Sequence, residues 1–101
     1  MAQFVKVARL AELAAGTGKA VEVNGKSLAI YNVNGTVYAT DNACLHQGGP
    51  LGEGMLEGDV ITCPRHMWQY NVRTGENLED SMLKVETYPV RVSGDDIEVE
   101  I

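Results

Sequence analysis

Two short stretches decide how this sequence folds: CLHQGG at residues 44–49 and CPRHMWQY at residues 63–70. Each places a histidine shortly after a cysteine, so that together they read C-x-H, a gap of sixteen residues, and C-x-x-H. The chain has only two cysteines and two histidines, and all four lie in these stretches. A structural disulfide would not require a histidine beside each cysteine, so the pattern favours a metal site.

Cys44, His46, Cys63 and His66 are therefore the candidate ligands. Two thiolates and two neutral imidazoles suit a [2Fe–2S] cluster in which histidines replace two cysteines on one iron. Two ferric ions, two sulfides and two thiolates sum to zero charge, which a thin protein cover tolerates. A Cys₂His₂ zinc site and a Cys44–Cys63 disulfide remain as alternatives. Zinc fingers, however, usually open with two cysteines and end with two histidines.

The rest of the chain has mostly β periodicity. Alternating apolar and polar residues predict short strands at 4–7, 20–23, 28–31, 37–39, 60–62, 90–92 and 97–101. Asn24-Gly25 and Asn34-Gly35 predict two-residue hairpin turns, and further turns are expected at 57–59 and 93–96. One helical pattern, Ala8–Ala15 closed by Gly16, predicts one or two turns of helix. The expected fold is a sandwich or small barrel, with both Cys/His pairs in loops at strand ends.

Length, charge and hydropathy exclude several classes of function. The 101 residues fit one domain, 1–101, and carry 14 acidic against 8 basic residues, a net charge of −6. Without a basic cluster, nucleic-acid binding is not expected, whereas an acidic surface favours a basic protein partner. No apolar run approaches a membrane span, and the start lacks the layout of a signal peptide. The sequence predicts a soluble, cytoplasmic monomer.

Both stretches, and nearly the whole chain around them, resemble the Rieske-type ferredoxins. The resemblance implies an all-β, Rieske-type β-sandwich with a small cluster-binding subdomain formed by two loops, at about 43–50 and 62–70. It also implies that Cys44, His46, Cys63 and His66 hold one [2Fe–2S] cluster. A ferredoxin of this kind is an electron carrier rather than an enzyme, and it serves multicomponent systems of aromatic hydrocarbon catabolism. Its expected partners are a reductase and a terminal oxygenase, either a Rieske dioxygenase or a diiron monooxygenase.

Differences from the respiratory members indicate which subgroup of the Rieske family the chain resembles. Respiratory Rieske proteins have an extra cysteine in each loop, where this chain has Gly49 and Arg65, and a serine where it has Trp68. Fewer hydrogen-bond donors to the cluster predict a potential in the lower half of the Rieske range of about −150 to +300 mV. Tyr70 is expected either to donate a hydrogen bond to a ligand sulfur, as in respiratory members, or simply to pack in the core.

A third loop, residues 79–83, lacks the proline common in the family and is similar to that of toluene-monooxygenase ferredoxins. Gln47, Met67 and Met82 are candidates for a docking patch, with Met82 equally suited to covering the cluster. Two other functions stay open. One is a structural subunit, such as the small subunit of a nitrite-reductase-like complex, and the other is a zinc-stabilised domain.

Overall fold

A computed structural model describes residues 3–44, 49–65 and 67–101. It contains ten strands: β1 (Phe4–Arg9), β2 (Thr17–Val23), β3 (Lys26–Val33), β4 (Thr36–Asp41), β5 (Met55–Glu57), β6 (Val60–Thr62), β7 (Gln69–Asn71), β8 (Thr87–Tyr88), β9 (Val90–Ser93) and β10 (Asp96–Glu100). Two 3₁₀ turns lie at Leu10–Glu12 and Leu51–Glu53, and no α-helix occurs among the described residues.

The strands form three antiparallel sheets, in the orders β1-β10-β9, β2-β3-β4-β8 and β5-β6-β7. This confirms the predicted all-β class. The first two sheets make the body of the sandwich. In the small third sheet, β5 and β6 lie between the two Cys/His stretches, and β6 and β7 flank the second loop.

The predicted hairpins are confirmed. Asn24 and Gly25 have φ values of 51° and 79°, and Asn34 and Gly35 have 51° and 94°. Positive φ at both central residues is what a two-residue hairpin turn of type I′ requires, and Asn-Gly is strongly preferred there. The turns fix the register of β2, β3 and β4, and therefore decide which side chains of β3 face each layer of the core.

Strand β3 supplies two cores at once. Leu28 and Ile30 pack in one cluster with Ile97 and Val99 of β10, while Ala29 and Tyr31 pack in a second cluster that includes both cysteines. Side chains alternate across a strand, so a strand covered on both faces buries every position. The second core is the one that supports the candidate site.

The predicted helix at residues 8–15 is wrong in most of its length. Ala8 and Arg9 continue β1 and pair with Ile97 and Asp96 of β10. The N–H of Leu10 then donates to the carbonyl of Asp95, which leaves only a single 3₁₀ turn at Leu10–Glu12. A helix this short is marginal by itself, so pairing with the neighbouring strand prevails over local propensity.

Candidate metal centre

The first loop leaves β4 and is closed by backbone hydrogen bonds. Ala43 forms an isolated bridge with Pro50, and the N–H of Cys44 donates to the carbonyl of Gly49 at 2.8 Å. Asn42 anchors the base, since its side-chain oxygen accepts the N–H of Gly52 at 2.8 Å. The segment 45–48, with the candidate ligand His46 and the docking candidate Gln47, lies outside the described residues.

The second loop is closed in the same way. The N–H of Cys63, directly after β6, donates to the carbonyl of Trp68 at 2.7 Å. The N–H of Met67 donates to the carbonyl of Cys63 at 3.1 Å. In both loops the cysteine N–H bonds the carbonyl five residues further on, and the histidine lies between them in sequence. His66 itself is outside the described residues.

Neither cysteine forms a disulfide, and both are buried, with 2% of Cys44 and none of Cys63 exposed. The alternative of a Cys44–Cys63 disulfide is therefore wrong for this structure. The hydroxyl oxygen of Tyr70 lies 3.3 Å from Cys44 Sγ, within hydrogen-bond distance of sulfur. Of the two roles expected for Tyr70, the structure shows the contact with the sulfur as well as full burial in the core.

The two loops touch through Gly49. A Cβ atom built on Gly49 would lie 2.8 Å from Cys63 Sγ and 3.2 Å from Cγ of Arg65. Only a residue without a side chain allows the first loop to approach the second cysteine so closely. The aliphatic part of Arg65 covers the contact from outside. The loops thus face each other, as their positions at strand ends predict.

The third loop, residues 79–83, is held by Asn77, a buried polar residue that the sequence analysis missed. Its side-chain oxygen accepts the N–H groups of Glu79 at 2.8 Å and Asp80 at 3.2 Å. The N–H of the adjoining Leu78 donates to the carbonyl of Gln69, which fixes the loop beside β7. Asparagine before a polar stretch is a turn signal that could have identified this role.

Among the docking candidates, Met82 is 88% exposed and Met67 is 71% exposed, so both side chains offer apolar surface to a partner. The alternative role of Met82 as a cover for the cluster stays a prediction.

No group of three or more histidine, cysteine, aspartate or glutamate side chains is arranged for a metal within residues 3–44, 49–65 and 67–101. Two of the four candidate ligands, His46 and His66, fall in the gaps between those ranges. The described half of the donor set consists of two buried thiols.

Comparison with protein families decides the assignment, because the Rieske [2Fe–2S] domain matches residues 3–89. The chain belongs to the Rieske [2Fe–2S] family. A relative from Ralstonia sp., the ferredoxin component of naphthalene 1,2-dioxygenase/salicylate 5-hydroxylase systems, is 40% identical over 90 residues, which cover 88% of this chain and 86% of that protein.

Solved structures agree with the Rieske assignment. One chain of a complex of reduced oxygenase and oxidised ferredoxin in carbazole 1,9a-dioxygenase aligns with a TM-score of 0.86 and 34% identity, over 95% of this chain and 91% of that one. An NADH-dependent nitrite reductase small subunit assigned in Mycobacterium tuberculosis aligns with a TM-score of 0.90 over 100% and 96% of the two chains. At 22% identity, that second likeness shows the fold alone.

The described residues of this Rieske chain fit an iron–sulfur cluster. Thiolate sulfur is the donor such clusters take from proteins, and the two cysteines are not joined in a disulfide. Their burial supplies the dry surroundings in which a ligand sulfur is shielded from water, and the hydroxyl of Tyr70 is within hydrogen-bond distance of Cys44 Sγ. The chain therefore carries the features of an iron–sulfur protein.

Two further predictions made from the sequence concern these loops. Gly49 and Arg65 are adjacent, as the resemblance implies for the positions that carry the respiratory disulfide, but neither has a sulfur. The likeness of the third loop to toluene-monooxygenase ferredoxins stays a prediction.

Within the part of the chain that the structure describes, no helix has the length and apolar character needed to cross a membrane.

Proposed function

We propose that this chain is an electron-transfer ferredoxin, which accepts one electron from a reductase and delivers it to a terminal oxygenase. When bound, a [2Fe–2S] cluster supplies the chemistry, because it takes up and releases a single electron. We assign one such cluster to the single domain 1–101 and place the protein in the cytoplasm as a monomer. The similarity to ferredoxin components of dioxygenase systems supports the carrier role.

Cys44, His46, Cys63 and His66 are the proposed ligands. The observation that carries the proposal is that the two loops are built alike. In each loop a buried cysteine outside any disulfide closes the loop through its N–H, and a histidine follows it within three residues of sequence. Fixed loop ends hold the sulfur atoms in place while a charge is gained or lost, which keeps the rearrangement on electron transfer small. Tyr70 orients one of the sulfur atoms from the core side.

The sequence contains no flavin motif, and the described residues have no group of metal-binding side chains that could activate oxygen. We therefore expect the oxygenase to act on substrate. Two alternatives are a zinc-stabilised domain and a structural small subunit of a nitrite-reductase-like complex. The second has support at the level of fold. A subunit without a redox role would not need four ligands, which is why we favour the carrier.

Reconstitution tests this function directly. Purified chain is mixed with the reductase and the oxygenase encoded in the same gene cluster, and substrate-dependent oxygen consumption is followed with NADH present. We expect turnover that requires this chain and that disappears in Cys63→Ala. Turnover at the same rate without the chain, or with Cys63→Ala, would contradict the carrier role.

A further inference from the structure

A groove separates the β5–β6 hairpin from the second loop and has a volume of about 380 Å³. We call it the methionine groove, because Met55 of β5 and Met67 of the second loop both line it. The side chains are 69% and 71% exposed. Pro64 adds to the apolar lining, and Cys63 lies beneath the floor with none of its own surface exposed.

The backbone of Met67 is in an unusual conformation. Its φ is 61°, and the other non-glycine residues with positive φ in the described parts of the chain are Asn24 and Asn34, both in hairpin turns. Asparagine adopts this region readily, whereas methionine does so at a cost. The loop enforces it through the bond from the N–H of Met67 to the carbonyl of Cys63. Met67 therefore has a strained backbone next to the proposed ligand His66, and its apolar side chain is exposed to solvent. This combination indicates a functional surface.

The charged side chains that line the groove are all acidic. Glu53 and Glu57 are exposed and line it, and the lining within the described residues has no lysine or arginine. Four of the eight basic side chains are engaged elsewhere in ion pairs, at Lys6, Lys19, Arg73 and Arg91. An apolar floor with an acidic border complements an apolar side chain that has cationic neighbours.

We propose that the methionine groove is a docking site for a redox partner protein. The partner inserts one aliphatic or aromatic side chain between Met55 and Met67, while its lysine or arginine side chains face Glu53 and Glu57. Methionine is flexible and polarisable, so it adapts to the shape of the inserted group. The partner then contacts the chain directly above Cys63. This inference rests on the proposed function, since it names a surface that the electron carrier uses.

Stopped-flow kinetics with the native reductase and oxygenase test the groove. The second-order rate constants for reduction and for oxidation of the chain are measured for the wild type, for Met55→Gln and for Met55→Gln/Met67→Gln. Glutamine retains the length of the side chain but not its apolar character. We expect the double variant to be slower by about tenfold with at least one partner, as for the loss of a central interface contact. The matched control is Val92→Gln, an exposed apolar residue of β9, which should react at the wild-type rate.

A charge reversal provides an independent arm. Glu57→Lys and Asp95→Lys change the net charge equally, and both positions are exposed, but only Glu57 lines the groove. We expect Glu57→Lys to slow transfer severalfold more than Asp95→Lys at low salt.

Visible absorption and reduction by dithionite confirm in each variant that the cluster is intact. Wild-type rates in the double variant, or equal effects of the two charge reversals, would overturn the groove as a docking site. The carrier role would stand in that case. Absence of electron transfer in the wild type would instead refute the proposed function.

Discussion

The hydroxyl oxygen of Tyr70 lies 3.3 Å from Cys44 Sγ, although the two residues are 26 positions apart in the chain. Both are buried, Tyr70 completely and Cys44 with 2% of its surface exposed. A hydroxyl that donates to a thiolate stabilises negative charge on that sulfur, and more so when the site gains an electron. This contact therefore links the core of the fold to the energetics of the proposed site.

Tyr70→Phe should lower the reduction potential, because the reduced state loses a donor to a ligand sulfur. A hydrogen bond with a net value of about 1 kcal/mol corresponds to about 40 mV for one electron. Protein-film voltammetry measures the shift. The control is Tyr31→Phe, which removes a buried hydroxyl bonded to Thr40 in the same core and should leave the potential unchanged. An unchanged potential in Tyr70→Phe would contradict the role of this contact.

Gly49→Ala should reduce cluster content, because its Cβ would meet Cys63 Sγ at 2.8 Å. Overpacking of this kind typically costs about 1–3 kcal/mol. Iron per chain and the thermal midpoint are the measurements. Gly94→Ala serves as control, since Gly94 has a φ of 62° but nothing within 4 Å of an added Cβ. It should lose about 1 kcal/mol of stability with full iron content. Normal iron content in Gly49→Ala would argue against the close approach.

The sequence predicts local features well and contacts between distant segments poorly. Asn24-Gly25 specifies its hairpin because the turn conformation depends on those two residues alone. Leu10 and Leu13 have helical spacing, yet Ala8 and Arg9 pair with β10, almost ninety residues away. Alternation at 97–101 predicts that strand, but no local pattern predicts which segment pairs with it. The spacing of cysteines and histidines predicts a metal site from the sequence alone. The contact of Gly49 with Cys63 and the role of Asn77, in contrast, depend on how separate loops pack together.

His66→Cys should lower the potential further than Tyr70→Phe does, because it would place a third thiolate on the cluster. Replacement of histidine by cysteine moves a site towards the lower potentials of clusters with four thiolates. Voltammetry of the variant with intact visible absorption is the measurement, with Met67→Gln as a neighbouring control of unchanged potential. A raised potential would contradict the assignment of His66 as a ligand.

Asn77→Ala should loosen the third loop, since two N–H groups at Glu79 and Asp80 lose their acceptor. Loss of such bonds costs about 1–2 kcal/mol. Urea unfolding gives the stability, and hydrogen exchange of residues 79–83 shows where it is lost. Asn77→Asp keeps an acceptor oxygen and should lose less. Equal protection of the loop in wild type and Asn77→Ala would show that the side chain does not hold it.

Electron transfer to the partner should become slower as the salt concentration rises. The chain carries a net charge of −6, and acidic surfaces speed the encounter with basic ones. Between about 0.1 M and 1 M ionic strength the screening length falls from about 10 Å to about 3 Å. The second-order rate constant should fall severalfold over that interval. A constant rate would mean that charge does not guide docking.

The central claim is that Cys44, His46, Cys63 and His66 hold one [2Fe–2S] cluster. Iron, acid-labile sulfide and zinc per chain, measured on freshly purified wild-type protein, test it most directly. The account predicts two iron and two sulfide per chain and no stoichiometric zinc. One zinc per chain without labile sulfide would contradict it.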